Sequence, residues 1–369
     1  MKVGIVCAFD TYFDRLALLK EYYEEKGAQV IVYSSNFSHR QKEKLEHHPL
    51  VDVMVPTKPY HKNLSIARLR SHVDFSREVG NLLEKTDFDL VHVMVPCNSL
   101  VKYVPKHPFK LVFDVIDLWP ETLPISRFKN WFPFTVWKNM RDKEIDQADL
   151  IFTECELYQN VLQKAENKKY KTLYWARKEE PMKTDVQLRQ EEVRFCYLGS
   201  INHIIDIDFI VNLLKECARY RRVSIDLIGD GESKNELIQS LKQYGIHVED
   251  HGKVYDQKEK QAIFDRCNFG LNVMKESVVV GLTMKSLDYM CAGLPIINTI
   301  GGDTKDFCSQ YDIGFHVPHD QIGIAAQKIC SQTIMENQMQ RKAIQKLYED
   351  HFTKDSFFET MDRVMEDLL

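Results

Sequence analysis

The chain has 369 residues, 44% of them apolar and 28% charged, with a formal net charge of −5. That length and balance describe a folded protein of about two domains, and they exclude a disordered segment or a wholesale nucleic-acid binder, which needs a basic surface. Nine cysteines, an odd set without CxxC spacing, argue against a disulfide framework or a zinc site and suit a reducing compartment. The opening residues MKVGIVCAFD read as a short strand, too soon interrupted for a signal peptide, and no run of about 18 apolar residues is there to span a bilayer. A cytoplasmic location is expected.

The first half repeats a strand-then-helix rhythm. Short β-rich runs lie at Lys2–Ala8, Gln29–Tyr33, Asp89–Val95, Lys110–Val115, Leu150–Thr153 and Lys171–Trp175, with amphipathic segments such as Phe13–Lys26 and Leu64–Lys85 between them. This alternation predicts a parallel sheet covered by helices on both faces. The first strand runs into Phe9-Asp-Thr-Tyr-Phe-Asp14 without GxGxxG, which disfavours a nicotinamide cofactor.

Phe113-Asp-Val-Ile-Asp-Leu-Trp-Pro-Glu121 follows a strand of this half and brings three acids together. A carboxylate at a strand end often serves simply as a cap for the next element. Arg127 to Arg141 then mixes Trp131, Phe134 and Trp137 with Arg127, Lys129 and Lys138, as interfacial helices do, and Pro133 suits a first helical position. Aromatics at helical spacing also build cores, so membrane or lipid-acceptor contact stands beside a packing role. Arg68, His72 and Arg77 lie on another basic helix.

Ala176–Glu192 is charged and without clear period, and reads as an interdomain linker. A second series of strands follows at Arg194–Leu198, Val223–Ile228, His247–His251, Phe269–Met274, Pro295–Thr299 and Ile313–Val317, and the tail from Gln321 is helical. Glycine-bearing turns close three of these strands: Tyr197-Leu-Gly199-Ser200, Ile228-Gly229-Asp-Gly, and Gly252-Lys253-Val254. Asp206-Ile-Asp208 looks like a metal-binding DxD but is better read as a helix cap.

The most informative stretch is Lys275 to Gly302. Gly281 and Leu282 form a turn, Thr283 is a candidate N-cap for a helix from Met284 to Ala292, Gly293 suits a left-handed residue past its end, and Pro295 stops it. Amides at such a helix start suit a phosphate. Asp288, about five residues in, sits roughly 7.5 Å along the axis. There it can accept hydrogen bonds from a ribose. An ordinary βαβ crossover with a partly exposed acid is the competing reading.

Ser286-Leu-Asp-Tyr-Met-Cys-Ala-Gly-Leu-Pro-Ile-Ile297 resembles the LEAMACGLPVV segment of group 1 (family 4) glycosyltransferases, and Asp117-Leu-Trp-Pro-Glu121 resembles the DLWPE block of members that build bacterial surface polysaccharides. The resemblance implies the GT-B architecture, an α/β chain of two Rossmann-like domains facing a cleft. Residues 1–175 would form the acceptor-side domain, 176–192 the linker and 193–353 the donor-binding domain, with 354–369 a terminal helix returning to the first. It implies a donor site of Gly199, Ser200, Gly229, Lys253, Val254, Gly281, Leu282, Thr283, Met284, Lys285 and Asp288, and in the DLWPE-like block it makes Asp117 the leading candidate for acceptor contact or base work, with Asp114 and Glu121 behind it. The implied reaction moves a sugar from a UDP- or GDP-linked donor to a saccharide or lipid-linked hydroxyl, with anomeric retention and without metal or cofactor, in capsule, O-antigen or exopolysaccharide synthesis. A peripheral seat on the inner, anionic face of the membrane fits that role. The chain departs from the family at Val280 (an acid there), at Ile116 (a His there), and after Ser200, where Ile201-Asn-His-Ile-Ile-Asp206 replaces a cationic pair and leaves backbone amides, His203 or Lys285 to meet the diphosphate. Those departures keep two alternatives open: a non-catalytic nucleotide-sugar-binding scaffold or sensor, and another GT-B enzyme such as a nucleotide-sugar epimerase.

Overall fold

A computed structural model describes residues 1–63, 65–106, 108–123, 131–132, 134–366 and 368. The chain divides into two units, Met1–Arg177 with Lys354–Leu369, and Lys178–Thr353.

In the first unit, β1 (Lys2–Cys7), β2 (Gln29–Ser35), β3 (Val53–Val55), β4 (Leu90–Val95), β5 (Lys110–Val115), β6 (Leu150–Thr153) and β7 (Tyr170–Thr172) form one parallel sheet in the order β3-β2-β1-β4-β5-β6-β7. Every residue of β4 is buried. That is why it reads as a continuous apolar run and not an alternating one: helices cover both faces of a parallel sheet. His92 is the polar exception in this strand. Its Nδ1 meets the Tyr23 hydroxyl at 3.0 Å, while Nε2, 3.7 Å from Asp114, is buried without a hydrogen bond among the described residues. Edge strand β3 has no counterpart among the predicted runs, because three residues show no periodicity. The terminal helix Lys354–Met365 belongs to this unit. Tyr22 donates to Asp362 at 2.9 Å, Lys354 pairs with Glu21 at 2.5 Å, and Phe357 and Met361 are buried.

In the second unit, β8 (Glu192–Leu198), β9 (Arg222–Ile228), β10 (His247–Gly252), β11 (Phe269–Asn272), β12 (Ile296–Asn298) and β13 (Gly314–His316) form a parallel sheet in the order β10-β9-β8-β11-β12-β13. The core gathers Phe195 and Tyr197 of β8, Leu227 of β9, and Phe209, Leu213 and Leu214 of the helix Ile207–Cys217. Residues 178–192, expected as a linker, lie along this unit. Met182 N donates to Cys291 O at 3.0 Å, Gln187 N to Asp265 O at 2.9 Å, and Tyr348 Oη to Glu179 O at 2.7 Å. Their charged side chains hide this seat from a sequence reading because the backbone makes these bonds.

Both sheets reverse strand order at one point, between β1 and β4 and between β8 and β11. Parallel doubly wound sheets bind ligands at the carboxyl ends of strands near that switch. All nine cysteines are buried and unbridged.

Candidate active site

Three turns at the carboxyl ends of β8, β9 and β10 touch one another through their backbones. Gly199 N donates to Ile228 O at 2.8 Å, Gly229 N to Gly252 O at 2.6 Å, and Ile201 N to Asp230 O at 3.0 Å. This closeness is what demands the glycines of Ile228-Gly-Asp-Gly231. At Gly229, with φ +138°, a Cβ would lie 2.0 Å from Gly199 O, and at Gly231 a Cβ would lie 2.2 Å from Ile201 O. Gly199 is different. It has φ +113° and its Cβ would meet nothing within 4 Å, so its bare backbone borders open space.

That space is a cavity of about 490 Å³ whose walls include Gly199, Ser200, Gly229, Lys253 and Val254. Five of the expected donor residues thus share one site. Asp230 and Gly231 of the same glycine turn also line it, as does Tyr255, which was missed. The signal for Tyr255 was faint: a single aromatic after a glycine turn, here 82% exposed at the cavity wall. Lys234 steadies the floor, donating to Gly229 O at 2.9 Å while pairing with Asp250 at 2.6 Å.

The helix Met284–Cys291 follows β11 on the other side of the switch point. Thr283 caps it through a reciprocal pair with Ser286, each side chain accepting from the other's backbone N–H. The Thr283 hydroxyl donates in turn to Asn272 Oδ1 at 2.8 Å. Gly293, at φ +67°, ends the helix in a Schellman arrangement, with Leu294 N on Tyr289 O at 2.8 Å and Gly293 N on Met290 O at 3.1 Å. Gly281 O accepts both the backbone and hydroxyl of Thr304. Leu282 and Thr283 are buried and Met284 is exposed. None of these four lines the 490 Å³ cavity, and neither does Asp288.

Lys285 links the helix start to the β8 turn. Its Nζ donates to Tyr197 Oη at 3.0 Å, and Tyr197 Oη donates to Ser200 O at 2.9 Å. No carboxylate lies within 4.0 Å of this amine among the described residues. Burial, without a compensating anion, brings its pKa down to about 7. Asp288 is paired instead with Lys260, at 3.6 Å.

One cluster of this unit has metal-like spacing: Asp226, Glu249 and His251. Arg194 and Arg266 occupy both carboxylates, Arg266 reaching Asp226 at 2.5 Å and Glu249 at 2.9 Å. Two guanidinium charges among the same oxygens do the neutralising a cation would do, so this is an ion-pair network.

In the first unit the three candidate acids have different fates. Asp114 is fully buried, and burial alone would raise its pKa. Arg15 reverses this, with a fork of 2.7 and 2.8 Å that holds the carboxyl down at about 2. Arg15 also donates to the carbonyls of Leu173 and Tyr174, so the pair ties β5 to the chain after β7. Glu121 is gripped by Arg141 at 2.8 and 3.1 Å and by Lys138 at 2.9 Å. Burial pushes its pKa up, and these cations more than cancel that. Both acids are engaged in structural ion pairs. Asp117 has hydroxyl partners instead, Tyr12 at 2.6 Å and Thr122 at 3.5 Å. Burial raises its pKa and these donors only partly offset the rise, which leaves it the best proton acceptor of the three.

The expected interfacial segment is divided. Arg127, Lys129 and Pro133 lie outside the described residues. Trp137, on the helix Phe134–Asp142, is buried against Trp119 with ring centres 5.6 Å apart. Phe134 and Trp137 line a second cavity, of about 160 Å³. Lys138 is engaged with Glu121 and Asp142. Trp131 and Phe132 are 63% and 81% exposed.

Two doubly wound parallel sheets, the second with a glycine-turn cavity at the ends of β8, β9 and β10, are those of the GT-B fold. Residues 192–332 match the family model described as Glycosyl transferases group 1. No curated protein matches it in sequence. Among solved structures, the lipopolysaccharide outer core galactosyltransferase WaaB superposes with TM-score 0.72 at 14% identity, covering 100% of each chain. Sucrose-phosphate synthase of Thermosynechococcus elongatus gives 0.70 at 12% identity, with 100% of this chain and 99% of that one covered. HepE of Anabaena, solved in complex with UDP, gives 0.69 at 13% identity over 100% of both chains.

Proposed function

We propose that the chain transfers a sugar from a nucleoside-diphosphate sugar, bound in the second unit, to an acceptor hydroxyl handled by the first. The observation that carries this reading is Lys285: a cation without a carboxylate partner among the described residues, tied through Tyr197 to the turn at Ser200. It takes the place of the cationic pair the family carries after that turn. In the proposed complex the diphosphate meets Lys285 and the amides near Gly199 and Thr283, Tyr255 and Val254 take the base, and Asp288 exchanges its contact with Lys260 for the ribose. Lys285 and the amides offset the leaving-group charge, so no divalent metal is required. Asp117 receives the acceptor proton or positions the hydroxyl. Anomeric retention is the expectation from family likeness.

Complexes of HepE with UDP and with UDP-glucose make uridine donors the first to test, ahead of GDP-linked ones. WaaB and WaaG, both named for lipopolysaccharide work, support a role in building a surface polysaccharide. Trp131 and Phe132 support a peripheral membrane seat. Incubation with a panel of UDP- and GDP-sugars, followed by chromatography of the released nucleotide, tests the activity. Slow release from one donor is expected even without acceptor.

A second reading, nucleotide-sugar binding without transfer, is favoured by the arginine pairing of Asp114 and Glu121. Tight donor binding with no nucleotide release under any condition would select it.

A further inference from the structure

Two fully buried asparagines close neighbouring strands of the second unit, Asn272 at the end of β11 and Asn298 at the end of β12. Asn is disfavoured in strands, and a buried amide is costly unless it is paired. The register sets Asn272 beside Asn298, and Asn298 beside His316 at the end of β13, so the three side chains form one row on one face of the sheet. The direction of every hydrogen bond in this row is fixed by one carbonyl. Asn298 Nδ2 donates to Ile300 O at 2.8 Å, and a carbonyl only accepts, so this amide has one possible orientation. Its Oδ1 then accepts from Asn272 Nδ2 at 2.9 Å, which leaves Asn272 Oδ1 to accept the Thr283 hydroxyl at 2.8 Å. Having donated its hydrogen, that hydroxyl accepts Ser286 N–H at 3.1 Å and caps the helix Met284–Cys291. At the far end Asn298 Nδ2 meets His316 Nδ1 at 3.2 Å. This nitrogen must accept, which puts the ring proton on Nε2 and requires a neutral imidazole.

A proton on Nδ1 would set one N–H against another. Asn298 cannot answer by turning over, because its oxygen would then face Ile300 O. Asn272 could follow such a turn only by aiming a second donor at the Thr283 oxygen, which already accepts Ser286 N–H. We propose that His316 is a positioning residue for the donor helix: neutral, it holds the Thr283 cap through Asn298 and Asn272, and protonated, it loosens that cap. The surroundings keep the ring neutral. Burial, then Lys305, lower its pKa below the ordinary histidine value, and Asp306 opposes them. His319, which also faces it, is itself paired with Asp206 at 2.9 Å and Glu276 at 3.2 Å. That the cap serves a diphosphate rests on the transferase reading; the coupling of His316 to the helix rests on the row alone.

The test compares the full chain with His316→Gln, whose side chain can accept from Asn298 but takes up no proton. Amide hydrogen exchange over residues 283–291 is followed in both proteins from pH 7.5 to about pH 5, and the readout is the ratio of wild-type to variant rate at each pH. That ratio should be near one at pH 7.5 and rise in acid by about 2- to 12-fold, the worth of one hydrogen bond. The helix Lys234–Gln243, remote from the row, should keep a constant ratio, which separates loosening of the cap from general acid unfolding. UDP titrated into both proteins should show the wild-type Kd weakening against the variant's over the same range. Lys285, His319 and UDP itself titrate in both proteins and cancel in the comparison. If His316→Gln does not fold, His316→Ala gives the same pH readout. A helix ratio or a UDP ratio that stays constant with pH would overturn the proposal. Absence of UDP binding at every pH, with a rising exchange ratio, removes the transferase reading and keeps the coupling; UDP binding with a flat exchange ratio removes only the coupling.

Discussion

Lys285 Nζ donates a 3.0 Å hydrogen bond to the hydroxyl of Tyr197 and lies 4.3 Å from the centre of the same ring. Helix start and strand end, 88 residues apart, are thereby joined at the point where a diphosphate is proposed to bind. With its pKa lowered to about 7 by burial, this lysine is largely neutral at pH 8. An arriving diphosphate stabilises the ammonium, so binding at pH 8 should take up a proton. Calorimetry of UDP in buffers of different ionisation enthalpy measures that uptake, approaching one proton for the wild type and near zero for Lys285→Met. Linkage gives a second sign. The unfolded lysine, with a pKa near 10.4, holds its proton between roughly pH 7 and 10 while the folded one does not, so this group makes the ligand-free chain more stable as pH rises through that window.

Asp288 and Lys260 form a pair whose purpose can be read by mutation. If the carboxylate turns to the ribose, Asp288→Ala should weaken UDP binding by about 10- to 150-fold, the equivalent of 1.5–3 kcal/mol for charge-assisted bonds. Lys260→Met should leave UDP affinity within about threefold of wild type, since in the proposed complex the carboxylate has exchanged Lys260 for the ribose. An Asp288→Ala protein with wild-type affinity would remove the ribose contact from the site.

Gly199 and Gly229 offer a contrast between ligand space and packing. Gly229→Ala drives a Cβ into the Gly199 carbonyl at 2.0 Å and strains φ, so thermal denaturation should show a loss beyond the roughly 1–3 kcal/mol of backbone strain alone. Gly199→Ala meets no atom within 4 Å. It should stay folded, with only the strain cost, while UDP binding falls. Equal stability losses in both variants would contradict this division.

Arg15 and Asp114 are a buried pair, and breaking it from one side leaves an uncompensated charge. Arg15→Met should cost about 3–5 kcal/mol in urea unfolding, and Arg15→Met with Asp114→Leu should recover much of it. The carboxyl's pKa of about 2 lies below its unfolded value near 3.9. Its stabilisation is therefore complete above about pH 4 and is lost as pH falls toward 2, a drop of about 2–3 kcal/mol that the double variant should not show.

Trp137 is buried while Trp131 and Phe132 are exposed, so membrane contact must be tested on the latter. Trp131→Ala with Phe132→Ala should reduce co-sedimentation with phosphatidylserine vesicles, and residual binding should fall with salt because each basic residue near the surface contributes about 1 kcal/mol. Wild-type binding in the double variant would dissociate these aromatics from any membrane role.

What the sequence alone determined were features written in neighbouring residues. Twelve strand runs, the Thr283 cap, the Gly293 terminus and the glycine turns after β8 and β9 all follow from local backbone demands, and each residue type announces its own. The three-residue β3 escaped because so short a run carries no period. The resemblance to a glycosyltransferase was legible for the same reason, since its blocks are short and contiguous. What only the tertiary structure decided was which charged and aromatic groups remain available for chemistry. Asp114 looks like Asp117 in the sequence, yet Arg15, 99 residues away, engages one and not the other. Trp137 and Trp131 share a segment, but only one is buried. Lys285 stands out only once the fold shows that no acid among the described residues reaches it. Charge pairing and burial depend on groups brought together across long separations, and neither composition nor spacing encodes those distances.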